Sequence, residues 1–262
     1  MGERGWALIL GASSGFGAAA ARAFARSGLD VCGVHLDRKS TVANAEAVRK
    51  DVEAAGSRAL FVNANAADGE QRARIVEALR EAAGGGPRVR VLLHSLAFGT
   101  LRPLVSATAK EAVSPAQMAM TLDVMATSLV DWTQALVAAD LWESGARIFA
   151  MTSEGSKRVM AAYGPVAAAK AALEALVRQL AVELAPREIA VNAICAGVTE
   201  TPAVRAIPGS AAMIERSRAR HPRGRLTTPE DVAGVLVALS DPACGWCTGN
   251  VIQVDGGEGL VP

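Results

Sequence analysis

Short runs of β-branched and aliphatic residues recur at 6–10, 31–36, 59–62, 89–93, 148–151, 190–194 and 251–254, with Ala-rich stretches of helical character between them. These runs lack the every-other-residue alternation of a half-exposed strand, so they predict strands covered on both faces. Their alternation with helices predicts βαβ units and a parallel sheet, and right-handed crossovers then place helices on both sides. The expectation is an α/β, three-layer, doubly wound Rossmann fold with a seven-stranded parallel sheet, formed by one domain over 1–262.

Two breaks in the pattern bear on organisation. Gly84-Gly85-Gly86-Pro87 follows a helical stretch over 70–83 and reads as its end and the turn into the next strand, not as a linker. The least regular stretch, 199–226, is rich in Pro, Gly and Arg and lies beyond a strand end, where doubly wound folds bind ligands, so it is the candidate substrate lid. A hydrophobic fraction of 51% with only 4% aromatics suits aliphatic helices packed closely on a sheet. A formal charge of +1 supplies no field to draw the molecule to nucleic acid or an anionic membrane. No apolar run approaches the ~18 residues of a spanning helix, and the N-terminal Met-Gly-Glu-Arg-Gly-Trp lacks a signal-peptide apolar region. The expectation is a cytoplasmic protein acting on small molecules, with no nucleic-acid or membrane partner.

The first strand runs into Gly11-Ala12-Ser13-Ser14-Gly15-Phe16-Gly17 and then an Ala-rich helix over 18–26. In that context Gly11 allows a tight turn, Gly15 a close backbone approach to a pyrophosphate, and Gly17 close helix packing. The helix start offers free N–H groups to the anion, so the loop is read as a dinucleotide site. After the second strand come Asp37, Arg38 and Lys39. A carboxylate there would bond the ribose diol of NAD(H), whereas Arg38 and Lys39 would take the 2′-phosphate of NADP(H) through charge-assisted bonds. The basic pair points to NADP(H), and Asp37 keeps NAD(H) open.

The glycine spacing G-x3-G-x-G resembles the short-chain dehydrogenase/reductase family. So do, in order, Asn65-Ala66, Tyr163 with Lys170, Val191-Asn192-Ala193, Ala196-Gly197 with Thr199 and Thr201, and Val254-Asp255-Gly256-Gly257, so the likeness spans nearly the whole chain. The resemblance implies that Asn65 bonds the adenine amine, with Ala66 adding a backbone contact. It places Ser95, Leu96 and Ala97 along the adenosine and nicotinamide side, and Val198, Thr199 and Thr201 on the carboxamide. Asn65 as a plain turn cap stays open. Lys170 would bond the nicotinamide ribose hydroxyls and favour proton donation by Tyr163, the one tyrosine of the chain. A homotetramer paired through the helices around 118–139 and 163–184 is also implied.

Seven residues turn a helix by ~700°, within ~20° of two full turns, so Tyr163 and Lys170 would share a helix face ~10 Å apart along its axis. Most of the family has three residues between this pair, and the corresponding position here is Val166. The six-residue gap, the Y-x6-K-A-A-L run over 163–173 and the His94-Ser95-Leu96-Ala97-Phe98 block instead resemble the enoyl-acyl-carrier-protein reductase branch. A longer gap has a geometric reason: an enoyl thioester takes hydride at Cβ while charge develops on an oxygen two carbons away, so the stabilising donor must sit further off. Met125 stands where the family's proton relay has an Asn, and a thioether cannot hold a water chain.

The leading expectation is therefore reduction by NADPH of a trans-2-enoyl thioester, linked to acyl carrier protein or coenzyme A, with Tyr163 stabilising the enolate and Lys170 holding the ribose. Ser153 stands where ordinary reductases carry a substrate-orienting serine, so a ketoreductase or alcohol dehydrogenase using Ser153 and Tyr163 is the alternative; otherwise Ser153 is a strand-end serine in a turn. A third class, a non-catalytic dinucleotide-binding scaffold, rests on Met125 and the unusual tyrosine spacing. Arg205, Arg216, Arg218, Arg220, Arg223 and Arg225 stand against only Glu200 and Glu215 in the lid, a surplus suited to an acidic carrier or coenzyme A phosphates, or else a solvated helix face. Ala203, Val204, Ile207, Ala211, Ala212 and Met213 would cover an acyl chain or form the buried stripe of a short helix. The Cys244-Gly245-Trp246-Cys247 motif reads as reduced thiols in a turn, since no second cysteine pair completes a zinc site, and no metal is expected.

Overall fold

The computed structural model describes residues 4–86 and 88–261. Residues 1–3 of the N-terminal segment and Pro87 of the glycine-rich turn lie outside them. Seven strands, β1 (Trp6–Leu10), β2 (Asp30–His35), β3 (Ala59–Asn63), β4 (Val89–His94), β5 (Trp142–Thr152), β6 (Ala190–Ala196) and β7 (Val251–Val254), form one sheet in the order 3-2-1-4-5-6-7. Every neighbouring pair runs parallel.

Strand residues alternate between two apolar layers. Leu8, Leu10, Leu92, Ile148 and Val191 face one layer, where α3 (Gly69–Ala82), α5 (Ser128–Ala138) and α6 (Gly164–Glu183) contribute Leu79, Trp132 and Val177. Ala7, Ile9, Leu93, Phe149 and Ile194 face the other, covered by α1 (Gly15–Arg26), α2 (Val42–Ala54) and α9 (Pro229–Leu239) through Phe24, Val52 and Leu236. Both sheet faces are thus dry, which is why the central strands read as unbroken apolar runs. Among the described residues no helix is long and apolar enough to cross a membrane.

The element ends differ from the pattern in three informative places. Helix α1 starts at Gly15 rather than at 18, so two of the loop glycines are helical. β2 stops at His35, leaving Leu36 outside the sheet and 67% exposed. β5 begins early, at Trp142, and its register against β4 is irregular between Val89 and Val91. The helical layer before β5 is also broken: α4 (Pro115–Leu122) joins α5 through a single π turn at Asp123–Thr127, and such turns mark sites where a helix is locally re-aimed. Met125 sits in that turn, buried.

The glycine loop is held by its own backbone. Gly11 has φ +92°, and a Cβ there would lie 2.4 Å from the Ser95 carbonyl oxygen; a Cβ on Gly17 would lie 2.0 Å from the Gly11 carbonyl oxygen. Neither obstacle is a side chain able to turn aside. Gly17→Ala is expected to destabilise by on the order of 2–4 kcal/mol, about 5–15 °C in Tm. Gly234→Ala, at a helical glycine with nothing within 4 Å of its added Cβ, is expected to raise Tm slightly. Thermal melts of the two variants check this, and equal shifts would sink the packing argument.

Candidate active site

In a parallel sheet all carboxyl ends emerge along one edge, and here they open onto a cavity of about 820 Å³. Gly11 and Ser13 reach it from β1, His35 from β2, Ser95 from β4, Ser153 from β5 and Gly197 from β6. Ser14, Gly15, Phe16, Leu96, Ala97, Val198, Thr199 and Thr201 also line it. The loop fits a dinucleotide. Helix α1 opens there with no side-chain cap from Ser14 and no acidic residue in its first turn, and Gly15, at φ +52°, has only the Thr201 side chain near its missing Cβ. Uncapped N–H groups at an uncharged helix start are what a pyrophosphate needs.

Other residues marked for the cofactor are not on the cavity wall. Gly17 is buried in the loop packing just described. Asn65 Oδ1 accepts from the Ala67 N–H at 3.1 Å, the turn-cap geometry, and the Ala66 carbonyl accepts from the Trp132 indole at 2.8 Å. Arg38 and Lys39 stand exposed beyond β2, with no carboxylate partner among the described residues. Asp37 is engaged: His35 Nδ1 lies 2.8 Å from its Oδ2, and although burial opposes it, hydrogen bonds from Thr41, Ser13 and His35 hold the carboxyl below its usual range. The Val198 N–H donates to Glu258 Oε2 at 2.8 Å, so that group is already claimed.

Tyr163, Lys170 and Ser153 come together on one cavity wall. Tyr163 is not inside a helix but caps α6, entered through Ala162 in the left-handed region at φ +58°. Its carbonyl accepts from the Ala167 N–H at 2.8 Å, so the helical ladder starts from Tyr163 and the shared-face spacing to Lys170 survives. Its hydroxyl donates to Ser153 Oγ at 3.4 Å. The ring lies where a Cβ on Gly155 would be 2.4 Å from Cε1, so that glycine makes room for it. Burial raises the phenol's pKa, and the bond to Ser153 only partly offsets this. With its pKa raised, Tyr163 is a protonated hydrogen-bond donor at neutral pH.

Lys170 is 4% exposed and donates to the Met151 carbonyl at 2.8 Å and the Leu96 carbonyl at 3.4 Å, with burial lowering its pKa to about 8. Two further groups stand near it. His94, whose Nε2 lies 2.9 Å from Ser128 Oγ, is pushed down to about 3 by burial and by the Lys170 ammonium. Glu174, one turn after Lys170, is buried and accepts from Thr152 Oγ1 and Ser156 Oγ, each at 2.7 Å, which fixes the segment carrying Ser153. Glu174 belongs to no local motif and only the packing of α6 on β5 reveals it, whereas for His94, first residue of the block over 94–98, the structure adds its complete burial.

The lid segment holds two helices, α7 (Pro202–Arg205) and α8 (Ser210–Arg220). One face of α8, Met213, Arg216, Ser217 and Arg220, lines the cavity together with Ala203, Val204 and Ile207, whereas Ala211 and Ala212 are exposed away from it. The arginine surplus is smaller than the local count suggests. Arg205 and Arg218 pair with Glu200, Arg218 also with Glu215, and Arg225 with Asp231 of α9. Arg220 reaches the buried Glu258 at 3.8 Å, leaving Arg216, at the cavity mouth, and Arg223 without a carboxylate partner among the described residues.

A cavity with an anion-ready helix start at one end, and a buried amine beside a protonated phenol at the other, is built to hold a dinucleotide against a small substrate; the fold and site define a dinucleotide-dependent oxidoreductase. The sequence profile described as Enoyl-(Acyl carrier protein) reductase matches residues 11–258. An uncharacterized oxidoreductase of Methylorubrum extorquens is 34% identical over 96% of this chain and 96% of its own. The enoyl-[acyl-carrier-protein] reductase [NADH] of Nostoc sp. is 33% identical over 76% of this chain and 74% of its own. Among solved structures, the enoyl-[acyl-carrier-protein] reductase (NADH) of Aquifex aeolicus superposes with a TM-score of 0.83 at 26% identity, covering 98% of this chain and 97% of that one. The chain belongs to the short-chain dehydrogenase/reductase family, in its enoyl-(acyl-carrier-protein) reductase-like branch, and is an NAD(P)H-dependent oxidoreductase.

The neutral His94 has a consequence for acid stability. Its folded pKa lies below the unfolded value, so between pH ~6.5 and ~3 the unfolded chain binds a proton that the native state refuses, and stability falls as pH falls, by up to about 1.4 kcal/mol per pH unit. His94→Gln is expected to remove one proton's worth of that slope. Urea titrations at several pH values check it, and parallel slopes in the two proteins would discard the assignment.

Proposed function

We propose that the protein reduces the carbon–carbon double bond of trans-2-enoyl thioesters with NADPH. The observation that carries this reading is the placement of Tyr163 at the very start of α6, seven positions ahead of Lys170, as a buried and protonated donor. When bound, the reduced nicotinamide supplies hydride to Cβ of the substrate. Tyr163 then needs only to donate a hydrogen bond to the thioester oxygen as negative charge builds there, a task that asks for position rather than acidity. Lys170, held by the Met151 and Leu96 carbonyls, is placed to bond the ribose hydroxyls. The apolar Met125, Met160, Val204, Ile207 and Met213 that line the cavity suit an acyl chain and keep water from the developing charge. The segment 199–226 serves as the lid, and the unpaired Arg216 at its mouth meets the phosphates of coenzyme A or an acidic carrier.

A second reading rests on one specific contact. The Tyr163 to Ser153 distance of 3.4 Å is what a ketoreductase would use to orient a carbonyl. Steady-state kinetics with crotonyl and acetoacetyl thioesters separate the two. Saturable turnover of the crotonyl thioester, lowered about 10²–10³-fold in kcat by Tyr163→Phe and far less by Ser153→Ala, is the expected outcome. Turnover of only the acetoacetyl thioester, lost with Ser153→Ala, would replace the first reading by the second.

Cofactor preference rests on the ends of β2. Asp37 is tied to His35, which leaves Arg38 and Lys39 as the groups open to a 2′-phosphate, although the Nostoc relative is named for NADH. The double variant Arg38→Ala with Lys39→Ala is expected to raise KM for NADPH by about tenfold or more and KM for NADH by less than about twofold. A wild-type enzyme that favours NADH, or equal effects on both cofactors, reverses the assignment.

A further inference from the structure

The Cys244-Gly245-Trp246-Cys247 motif takes no part in the cavity. It lies between α9 and β7, where residues Pro242–Cys244 form a short 3₁₀ turn and the Cys247 N–H donates to the Cys244 carbonyl at 3.0 Å. A turn closed in this way holds its end Cα atoms within about 7 Å, and disulfides span Cα separations of about 4.4–6.8 Å. The Cα spacing of the turn is therefore compatible with a disulfide between the two cysteines.

The surroundings favour reaction at these sulfurs. The Arg147 guanidinium is buried against the motif and donates only to carbonyls, those of Leu239, Gly145, Ala146, Asp241 and Pro242. Its Nη2 lies 3.1 Å from the place a Cβ on Gly245 would take. This cation stands beside Cys244, and Asn250 Nδ2 donates to Cys247 Sγ at 3.6 Å. Trp246, between the cysteines, is 99% exposed, so solutes reach the turn. The other thiols contrast: Cys32 and Cys195 are buried, and burial pushes each up to about 12.

We infer that Cys244 and Cys247 form a reversible dithiol–disulfide pair, oxidised by low-molecular-weight disulfides. The Cys244 thiolate attacks one sulfur of R–S–S–R, forming a mixed disulfide and releasing R–S⁻. The Cys247 thiolate then attacks the Cys244 sulfur and expels the second R–S⁻. Two electrons pass from the cysteines to the oxidant, and the two thiol protons end on two molecules of R–SH. The closed ring tightens a turn already fixed to β6, since Asn192 Nδ2 donates to the Cys247 carbonyl at 2.7 Å and the Val191 N–H to Thr248 Oγ1 at 3.0 Å. Strand β7 runs from this turn to Asp255 and Glu258 on the cavity wall.

The test uses the full chain, equilibrated with oxidised glutathione, alkylated under denaturing conditions and read by peptide mass. The peptide holding 244–247 is expected to carry no alkyl group and to be lighter by two hydrogens, while Cys32 and Cys195 are fully alkylated; dithiothreitol reverses the change. In the native protein the pair is expected to react with a thiol reagent on the order of tenfold or more faster than the buried two. Cys247→Ser is expected to convert the same treatment into a lasting glutathione adduct on Cys244. A lasting adduct on the wild type, a disulfide joining two chains, or two free thiols in excess oxidised glutathione each overturn the inference.

Discussion

Lys170 carries an ammonium into the interior, and much of the site is arranged around that charge. Burying an unpaired cation is costly, so its protons must find acceptors. They find the main-chain carbonyls of Met151 near the end of β5 and Leu96 just past β4. These bonds tie α6 to two neighbouring strand ends, and so set where the start of α6, and Tyr163 with it, meets the cavity. Burial, and after it the same charge, keeps His94 neutral, while the buried carboxylate one turn further along α6, Glu174, is occupied by Thr152 and Ser156.

A second constraint is mutual exclusion of backbone atoms in the glycine loop. Gly11, Gly17 and Ser95 approach so closely that side chains are sterically barred, and this crowding aims the first N–H groups of α1 at the cavity. The dinucleotide end is thus made by main chain and the catalytic end by side chains. Rigidity at the first lets small changes at the second, such as the position of one phenol, alter the chemistry without altering the fold.

The segment 199–226, the candidate lid, follows a different logic. Half of its six arginines are satisfied by Glu200, Glu215 and Asp231 and act as local struts for short helices that bury little. The Arg220–Glu258 pair links α8 to the segment after β7, and Glu258 in turn holds the Val198 N–H, so lid, C-terminal segment and the loop after β6 form one connected unit. Movement of α8 would be felt at Val198 through that chain of contacts.

The sequence alone determined the strands, the parallel sheet and the glycine turn, because these depend on local spacing: apolar runs of fixed length, and glycines at positions of positive φ. It also marked Tyr163, Lys170 and Ser153, through motif spacing. It could not tell that burial keeps the Tyr163 phenol protonated, that the Ala66 carbonyl is taken by Trp132, or which lid arginines lack a partner. Those facts belong to groups distant along the chain, such as Glu258 and Arg220 or Trp132 and Ala66. Desolvation and pairing depend on what packs on every side of a group, and only the tertiary structure decides that.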